Sequence, residues 1–209
     1  MTTIHIARHG ETIWHDENRY AGSSDISLTG RGLEQAAGLA AWASGASLDR
    51  LVSSDLARAV ITAQPVAAAT GLELQVDSRA REVDFGRAEG LTTAEMIAEF
   101  PDAHRAFIER PASSPLPDGE PGAAAIARAT SLLAELCATA SPSIVLIVAH
   151  TTLARLVVCW SIGLPLDSYR RVFPRLGNCA ITTLRFADGA GAASDLEGRG
   201  ELLALNVPT

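Results

Sequence analysis

Apolar residues along the chain fall into short runs that alternate with longer segments of helical spacing. Residues 3–7 alternate weakly, and residues 144–149 are continuously apolar, which is typical of a fully buried parallel strand. Ala36 and Ala40 recur at helical spacing after Thr29, whose hydroxyl can cap a helix. Strands and helices that alternate in this order predict an α/β domain with a mostly parallel sheet.

The segments between these elements continue the alternation, and the sequence contains no internal repeat. We expect strands at 51–53 and 72–76 and, between them, a helix that is capped by Asp55 and kinked at Pro65. Two short helices at 94–100 and 103–108, a surface loop at 111–122 and a helix at 153–162 should follow. Strands at 179–186 and 201–207 should pair around a flexible loop at 188–200.

Chain length and composition point to one folded domain. The 209 residues are enough for one substantial hydrophobic core, so we predict a single domain over residues 1–209. Apolar residues make up 47% of the chain and charged residues 20%, which excludes a disordered protein. A cap-like insertion is expected around residues 94–122, where apolar residues such as Phe100 and Leu116 should govern specificity.

Net charge and cysteine usage narrow the class of protein. The formal charge of −7 argues against a nucleic-acid partner but allows a compact anion pocket, because a few convergent arginines create a strong local field. Cys137, Cys159 and Cys179 are widely spaced in apolar sequence and indicate buried thiols in a reducing compartment. The N-terminus does not resemble an export signal, and residues 144–149 are too few to span a bilayer. We therefore expect a cytoplasmic protein without membrane partners.

Two histidines directly follow apolar runs: His9 follows IHIA and an arginine, and His150 follows IVLIVA. In open α/β sheets, ligands bind at the carboxyl ends of the strands, so both histidines are candidates for a site. An imidazole can accept a phosphoryl group. The adjacent Arg8 can hold phosphoryl oxygens, and Gly10 can let the backbone approach the anion.

Arg58 and Glu82 are candidates for completing such a site. Arg58 lies in the helix that follows the second predicted strand and could add positive charge. Glu82 lies just past the third predicted strand and is the best candidate for protonating the departing oxygen. Each of these residues, taken singly, could equally be a solvated surface charge, but their occurrence in one ordered set favours a shared function.

Six sequence blocks occur in an order and spacing that match a known family. The blocks are ARHGETIW, YAGSSDISLTGRG, SSDLARAVITAQ, REVDFGRAEGLT, PDGEP and IVAHTTLAR, between about Ile4 and Phe186. In these blocks the chain resembles the histidine phosphatase superfamily, which includes the cofactor-dependent phosphoglycerate mutases. The resemblance implies a three-layer α/β/α sandwich and a site that needs neither a metal nor another cofactor.

The resemblance also assigns roles to individual residues. It implies that His9 is the phosphoryl acceptor and Glu82 the proton donor. Arg8, Arg58 and His150 would complete the catalytic site as the phosphate pocket. The implied substrate contacts are Arg8, His15, Gly22, Arg58 and Thr151.

Several positions depart from the family pattern. His15 stands where asparagine usually follows the tryptophan, which alters one phosphate contact and introduces a titratable group. Thr151 and Thr152 replace the more common glycine-containing pair, and Pro121 replaces a frequent serine. These changes leave the chemistry intact and bear on the identity of the substrate.

The sequence also argues against several other functions. The five histidines lack HExxH or HxH spacing, and no nucleotide-binding glycine loop occurs, which argues against metal hydrolases, kinases and dehydrogenases. Two alternatives stay open: a phosphoglycerate mutase and a non-catalytic phosphate-binding protein. Against the mutase, Phe85 replaces an expected tyrosine, Thr93 replaces a lysine, and paired arginines are absent from 104–122.

We therefore predict a phosphatase of small phosphate monoesters. The expected partner is a small phosphorylated metabolite, a monoester with an organic body. The sequence does not determine the oligomeric state, and a homodimer stays open.

Overall fold

The structure, a computed structural model, describes residues 1–138, 141–187, 189 and 192–209. Six strands in this part of the chain form one sheet: β1 (Thr2–Arg8), β2 (Arg50–Ser53), β3 (Leu74–Val76), β4 (Ile144–Ala149), β5 (Ile181–Phe186) and β6 (Glu201–Val207). Across the sheet they lie in the order β3-β2-β4-β1-β5-β6.

The sheet is mostly parallel, as the sequence predicts. Strands β3, β2, β4 and β1 run in one direction, and β5 and β6 extend the sheet by antiparallel pairing. Arg8 at the end of β1 pairs in register with Ala149 at the end of β4. The residues that follow these two strands therefore start side by side at the same edge of the sheet.

Helices cover both faces of the sheet. In the described residues they are α1 (Gly30–Ser44), α2 (Ala57–Thr70), α3 (Thr93–Glu99), α4 (Pro101–Glu109), α5 (Gly122–Cys137), α6 (Thr151–Ser161) and α7 (Tyr169–Val172). Apolar side chains of α1 and α2 pack on one face, and those of α5 and α6 pack on the other, which confirms the three-layer sandwich. None of the helices in this part of the chain is long and apolar enough to cross a membrane.

Strand β4 shows why a central strand is continuously apolar. Val145 and Ile147 belong to the core beneath α5 and α6, whereas Leu146 and Val148 belong to the core beneath α1 and α2. Successive side chains point to opposite faces of a strand, so a strand covered by helices on both sides needs apolar residues at every position.

The cap of α2 differs from the prediction. The helix begins at Ala57, whose N–H donates to the Asp25 carboxylate at 2.8 Å. Asp55 instead forms an ion pair with Arg81 at 2.6 Å. The prediction that Asp55 caps the helix is wrong, because the carboxylate of Asp25, in a distant loop, accepts the N–H at the helix start.

The two irregular segments contact the core more closely than predicted. Residues 111–122 lack regular structure up to α5, yet Ala112 and Leu116 are buried within the core beneath α5. In the segment 188–200, residues 188, 190 and 191 lie outside the described residues, and Leu196 is buried against the same core. Segment 111–122 is therefore a packed loop rather than a surface loop.

Candidate active site

The predicted site lies at the carboxyl ends of the neighbouring strands β1 and β4. His9 follows β1 and His150 follows β4, and their ring centroids are 5.1 Å apart with the ring planes tilted by 55°. The backbone N–H of His9 donates to the Ala149 carbonyl at 3.0 Å, which extends the strand pairing up to the site. The parallel register of the two strands therefore places the two histidines side by side.

His9 presents one ring nitrogen as a base. Its Nδ1 lies 2.7 Å from the carbonyl oxygen of Gly10. A carbonyl oxygen only accepts hydrogen bonds, so Nδ1 carries the proton and the lone pair of the neutral ring is on Nε2. A neutral imidazole with an unprotonated nitrogen can act as a nucleophile.

Burial keeps the rings of His9 and His150 neutral. It lowers the pKa of His9 well below the usual range, and the charges of Arg8 and Arg58 lower it further. Burial also lowers the pKa of His150, with Arg58 as the next cause. Neither ring nitrogen of His150 has a hydrogen-bond partner within the described residues. The His150 ring can therefore hydrogen-bond to an anion placed beside His9.

Three hydrogen-bond donors converge beside His9 and face one another. The backbone N–H of Thr12 donates to Nδ1 of His15 at 3.0 Å, so the proton of the neutral His15 ring is on Nε2. Nη2 of Arg8 is in close contact with this Nε2, and Nδ2 of Asn178 lies 3.3 Å from it. Donors that point at one another need a shared acceptor, which an oxyanion supplies. This geometry indicates an anion site.

Arg58 is buried near His9 and does not line the pocket. Its side chain is fully buried, and its Nη2 donates to the carbonyl oxygen of Gly22 at 2.8 Å. Ala21 lines the pocket, whereas the neighbouring Gly22 does not. The structure thus places Gly22 against Arg58, while the expected contact of Gly22 with a substrate stays a prediction.

Gly10 has a packing role that the sequence does not predict. A Cβ atom on Gly10 would lie 2.5 Å from the carbonyl oxygen of Gly32, near the start of α1. The Gly10 N–H donates to the Thr62 hydroxyl at 3.0 Å. Glycine is needed here because the backbone approaches α1 closely, while the expectation that it also makes room for an anion stays a prediction.

Glu82 is held at the N-terminus of α6. Its Oε2 accepts the N–H of Thr152 at 2.8 Å, and its Oε1 accepts the N–H groups of Leu153 and Val83, both at 2.9 Å. The residue is only 5% exposed and lines the same pocket as His9. A carboxyl group fixed in this way can transfer a proton to a substrate oxygen.

The pocket that contains these groups has a volume of about 290 Å³. Among the predicted site residues, those that line it are Arg8, His9, His15, Glu82 and Thr151. Arg58 and His150 are fully buried and, like Gly22, are not among the residues that line it. Most of the remaining wall is formed by Thr12, Asn18, Arg19, Tyr20, Phe85, Thr93, Thr152, Arg155, Arg170 and Pro174.

The cap-like segment 94–122 packs against residues that line the pocket. Within the described residues, none of this segment lines the pocket. Phe107 of α4 packs edge-on against the rings of Tyr20 and Phe85, with centroids 6.2 and 6.4 Å apart. The segment therefore positions two residues of the wall, and its effect on specificity stays a prediction.

Sequence reasoning missed two residues that organise the site. Asn178 donates from Nδ2 to the His9 carbonyl at 2.9 Å. Glu89 accepts the N–H of Gly22 at 2.8 Å and further hydrogen bonds from the same loop, whose carbonyls bind Arg58. Glu89 lies in the block REVDFGRAEGLT, so the family resemblance could have identified it. Asn178 lies in none of the six blocks, and only the tertiary fold brings it to His9.

The described residues contain no candidate metal site. No group of three or more His, Cys, Asp or Glu side chains in this part of the chain could hold a metal ion. Phosphoryl transfer without a metal stays a prediction.

The histidines of the site predict a dependence of stability on pH. The folded-state pKa values of His9 and His150 lie well below the usual value near 6.5. Below pH 6.5 the unfolded chain therefore binds protons that the folded chain does not. As the pH is lowered further, the free energy of unfolding should fall by up to about 1.4 kcal/mol per pH unit for each of the two histidines. Burial also lowers the pKa of His15, to about 4, so its contribution has the same sign.

Urea unfolding at pH 7, 6 and 5 measures this dependence. The slope of the free energy of unfolding against pH should decrease in His150→Gln, because this variant lacks one of the histidines whose pKa is lowered. A free energy of unfolding that stays constant from pH 7 to pH 5 would contradict the protonation states assigned above.

Comparison with known proteins places this chain in a family. A sequence model of the histidine phosphatase superfamily (branch 1) matches residues 4–197. The chain is 31% identical over 210 residues to the probable phosphoglycerate mutase GpmB of Salmonella arizonae, with 100% of this chain and 97% of the relative covered.

Solved structures of phosphatases share the fold. The chain is 30% identical to a mycobacterial glucosyl-3-phosphoglycerate phosphatase, with a TM-score of 0.86 and 99% of each chain covered. It is 25% identical to the alpha-ribazole phosphatase of Shigella flexneri, with a TM-score of 0.83, covering 98% of this chain and 96% of the other. The similarity therefore extends over almost the full length of each structure.

Proposed function

The chain belongs to the histidine phosphatase superfamily (branch 1), and from this membership we propose that it is a phosphatase of small phosphate monoesters. The observation that supports the proposal most directly is the set of facing donors on Arg8, His15 and Asn178 beside the unprotonated Nε2 of His9. An oxyanion bound by these donors would lie next to a nucleophile. A protein that only binds phosphate has no need of such a nucleophile.

In the first step, Nε2 of His9 attacks the phosphorus atom, and the bond from phosphorus to the ester oxygen breaks. Glu82 gives its proton to the departing oxygen, so the alcohol leaves in neutral form. Arg8 and His15 hold the oxygens of the transferring phosphoryl group, and the buried Arg58 and His150 act beside His9. Their charges and N–H groups stabilise the transition state.

In the second step, water attacks the phosphohistidine. The Glu82 carboxylate takes a proton from this water, the bond from phosphorus to Nε2 breaks, and inorganic phosphate leaves. His9 and Glu82 thereby return to their starting protonation states. Splitting the transfer into two displacements is the advantage of a covalent intermediate.

A phosphoglycerate mutase is the second candidate, because one group of relatives carries that name. A mutase must keep water away from the phosphohistidine and hold a bisphosphate intermediate with additional cations. Phe85 and Thr93 line the pocket, and they supply no charge at the two positions where a mutase is expected to have a tyrosine and a lysine. We therefore expect steady release of inorganic phosphate, no stimulation by 2,3-bisphosphoglycerate, and negligible interconversion of 2- and 3-phosphoglycerate.

This expectation is tested by two assays on one preparation in the presence of EDTA. One assay measures phosphate release from a panel of monoesters, and the other couples the formation of 2-phosphoglycerate to enolase after dilution into magnesium. Isomerisation that exceeds phosphate release would mean that the mutase is the correct assignment.

A further inference from the structure

Arg128, on α5, binds the segment that carries Glu82 and does not itself line the pocket. Its Nη1 donates to the carbonyl oxygens of Arg79 at 2.9 Å and Arg81 at 2.7 Å. Its Nη2 donates to the carbonyl oxygen of Glu82 at 2.9 Å. Three carbonyl groups of this short segment therefore converge on one guanidinium group.

Glu120 binds the remaining donors of the same guanidinium group. Its Oε1 accepts Nε of Arg128 at 2.8 Å, and its Oε2 accepts Nη2 at 2.9 Å. An arginine side chain has five N–H groups, and the hydrogen bonds of Arg128 to Glu120 and to the three carbonyls use each of them. The guanidinium group is therefore held in one orientation, which the smaller ammonium group of lysine could not fully reproduce.

Glu120 also binds the chain on the other side of Glu82. Its N–H donates to the Asp84 carbonyl at 2.8 Å, and its Oε2 accepts the Asp84 N–H at 3.3 Å. Residues 81–85 have no regular secondary structure, so no strand or helix fixes their backbone. Arg128 and Glu120 instead hold the main chain just before and just after the predicted proton donor.

The side chain of Glu82 is held separately, by the N–H groups of Thr152 and Leu153 at the start of α6. The position of the carboxyl group relative to a departing oxygen therefore depends on two supports, of which α6 is one and Arg128 with Glu120 is the other. A proton donor must lie within hydrogen-bond reach of the atom that it protonates, and a displacement of about 1 Å can cost roughly 10²-fold in rate.

We propose that Arg128, fixed by Glu120, is a positioning residue for the proton donor Glu82. This inference rests on the proposed function, in which Glu82 protonates the departing oxygen. Arg128 acts through the carbonyl groups of the segment and takes no part in binding the phosphoryl group. Its loss should therefore impair protonation of the departing oxygen more than the attack by His9.

Arg128→Met tests the proposal with two esters, because only one of them needs a proton on its departing oxygen. The value of kcat/KM should fall roughly 10–100-fold for the alkyl ester glycerol 3-phosphate and by no more than roughly 3-fold for p-nitrophenyl phosphate. Arg128→Lys can still donate to some of the carbonyl groups and should restore part of the loss. A merely structural role would slow both esters by the same factor.

Combining Arg128→Met with Glu82→Gln tests whether Arg128 acts through Glu82. Once the proton donor is lost, the additional Arg128→Met should slow hydrolysis of glycerol 3-phosphate by no more than roughly 3-fold, because residues that act as a unit have non-additive effects. Losses that multiply in the double variant would show that Arg128 acts independently of Glu82 and would overturn the proposal.

Arg79→Met is the matched control, because Arg79 also joins this segment to α5. Its Nη2 forms ion pairs with Asp77 at 2.6 Å and with Glu135 of α5 at 2.7 Å, and its side chain does not bind the Glu82 carbonyl. Arg79→Met should keep the ratio of the two kcat/KM values. The same change of this ratio in the Arg79 and Arg128 variants would also overturn the proposal.

Amide hydrogen exchange tests the placement of Glu82 without turnover. The N–H groups of Thr152 and Leu153 bind the Glu82 carboxylate, so they should exchange faster in Arg128→Met than in Arg79→Met or the unmodified chain. Glu120→Gln removes the charge that orients Arg128 and should change the exchange and the kcat/KM ratio in the same directions by less. It replaces Arg128→Met in both measurements if that variant does not fold.

The two measurements separate this proposal from the proposed function. If exchange is faster in the Arg128 variant but the unmodified chain hydrolyses no ester, Arg128 still positions Glu82 and the phosphatase assignment fails. If esters are hydrolysed but the kcat/KM ratio does not change, the phosphatase assignment stands and the positioning role of Arg128 fails.

Discussion

His9→Ala is expected to reduce phosphate release from every monoester to an undetectable rate and to abolish covalent phosphoryl labelling. The reason is the tautomer of His9, since the Gly10 carbonyl at 2.7 Å fixes the proton on Nδ1 and leaves Nε2 as a nucleophile. Rapid quench with a radiolabelled ester should yield a label on the unmodified chain that is stable in base and labile in acid, as expected of phosphohistidine.

The control for this experiment is His5→Ala, on the same strand β1. His5 contacts the Trp42 ring and the Thr183 hydroxyl and does not line the pocket. The His5 variant should therefore keep both the label and phosphate release. A label that persists in His9→Ala, or turnover near that of the unmodified chain, would show that another residue accepts the phosphoryl group.

The central part of the fold follows from local sequence pattern. The continuous apolar run at β4 predicts a strand covered on both faces, and the structure confirms it. Once β1 and β4 are both parallel and buried, polar residues directly after them must meet at one edge of the sheet. This is why His9 and His150 could be identified before their 5.1 Å separation was known.

Contacts between distant segments could not be predicted in the same way. The cap of α2 comes from Asp25, which is 32 positions from Ala57 in sequence, so the nearby Asp55 was the better local candidate. The need for glycine at position 10 arises from Gly32 on α1. Both features depend on how loops pack after the sheet has formed, and periodicity carries no information about that.

Two arginines that line the pocket illustrate the same limit. Arg155 lies in an apolar helix, and Arg170 lies in the polar segment YRRVFPR, where an arginine is ordinarily a solvated charge. What distinguishes Arg170 from Arg171 is that one lines the pocket against Tyr20 and the other is exposed. Sequence alone treats these two neighbours as equivalent.

Glu82→Gln is expected to slow hydrolysis of alkyl phosphates by roughly 10²–10⁴-fold, which is the usual contribution of a positioned proton donor. Hydrolysis of p-nitrophenyl phosphate should slow much less, because p-nitrophenolate is stable enough to leave without a proton. The measurement is kcat/KM for both esters, with the unmodified chain and the variant assayed side by side.

Glu82→Gln also has a structural effect, which the comparison of the two esters must separate from the loss of the proton donor. Both oxygens of Glu82 accept backbone N–H groups at the start of α6, so the amide nitrogen of glutamine places one donor against another. This repulsion should lower the stability of the fold and disturb the pocket equally for both esters. The ratio of the two kcat/KM values cancels that common loss and retains the part that depends on the leaving group.

Glu89→Gln provides the contrasting case. Glu89 binds the loop that holds Arg58 and does not line the pocket, so its loss should act on the phosphoryl group through Arg58 and not on the leaving group. Both esters should therefore slow by the same factor in this variant. If Glu82→Gln also slows both esters equally, Glu82 serves to position α6 and the pocket wall, and the proton must reach the departing oxygen from another donor.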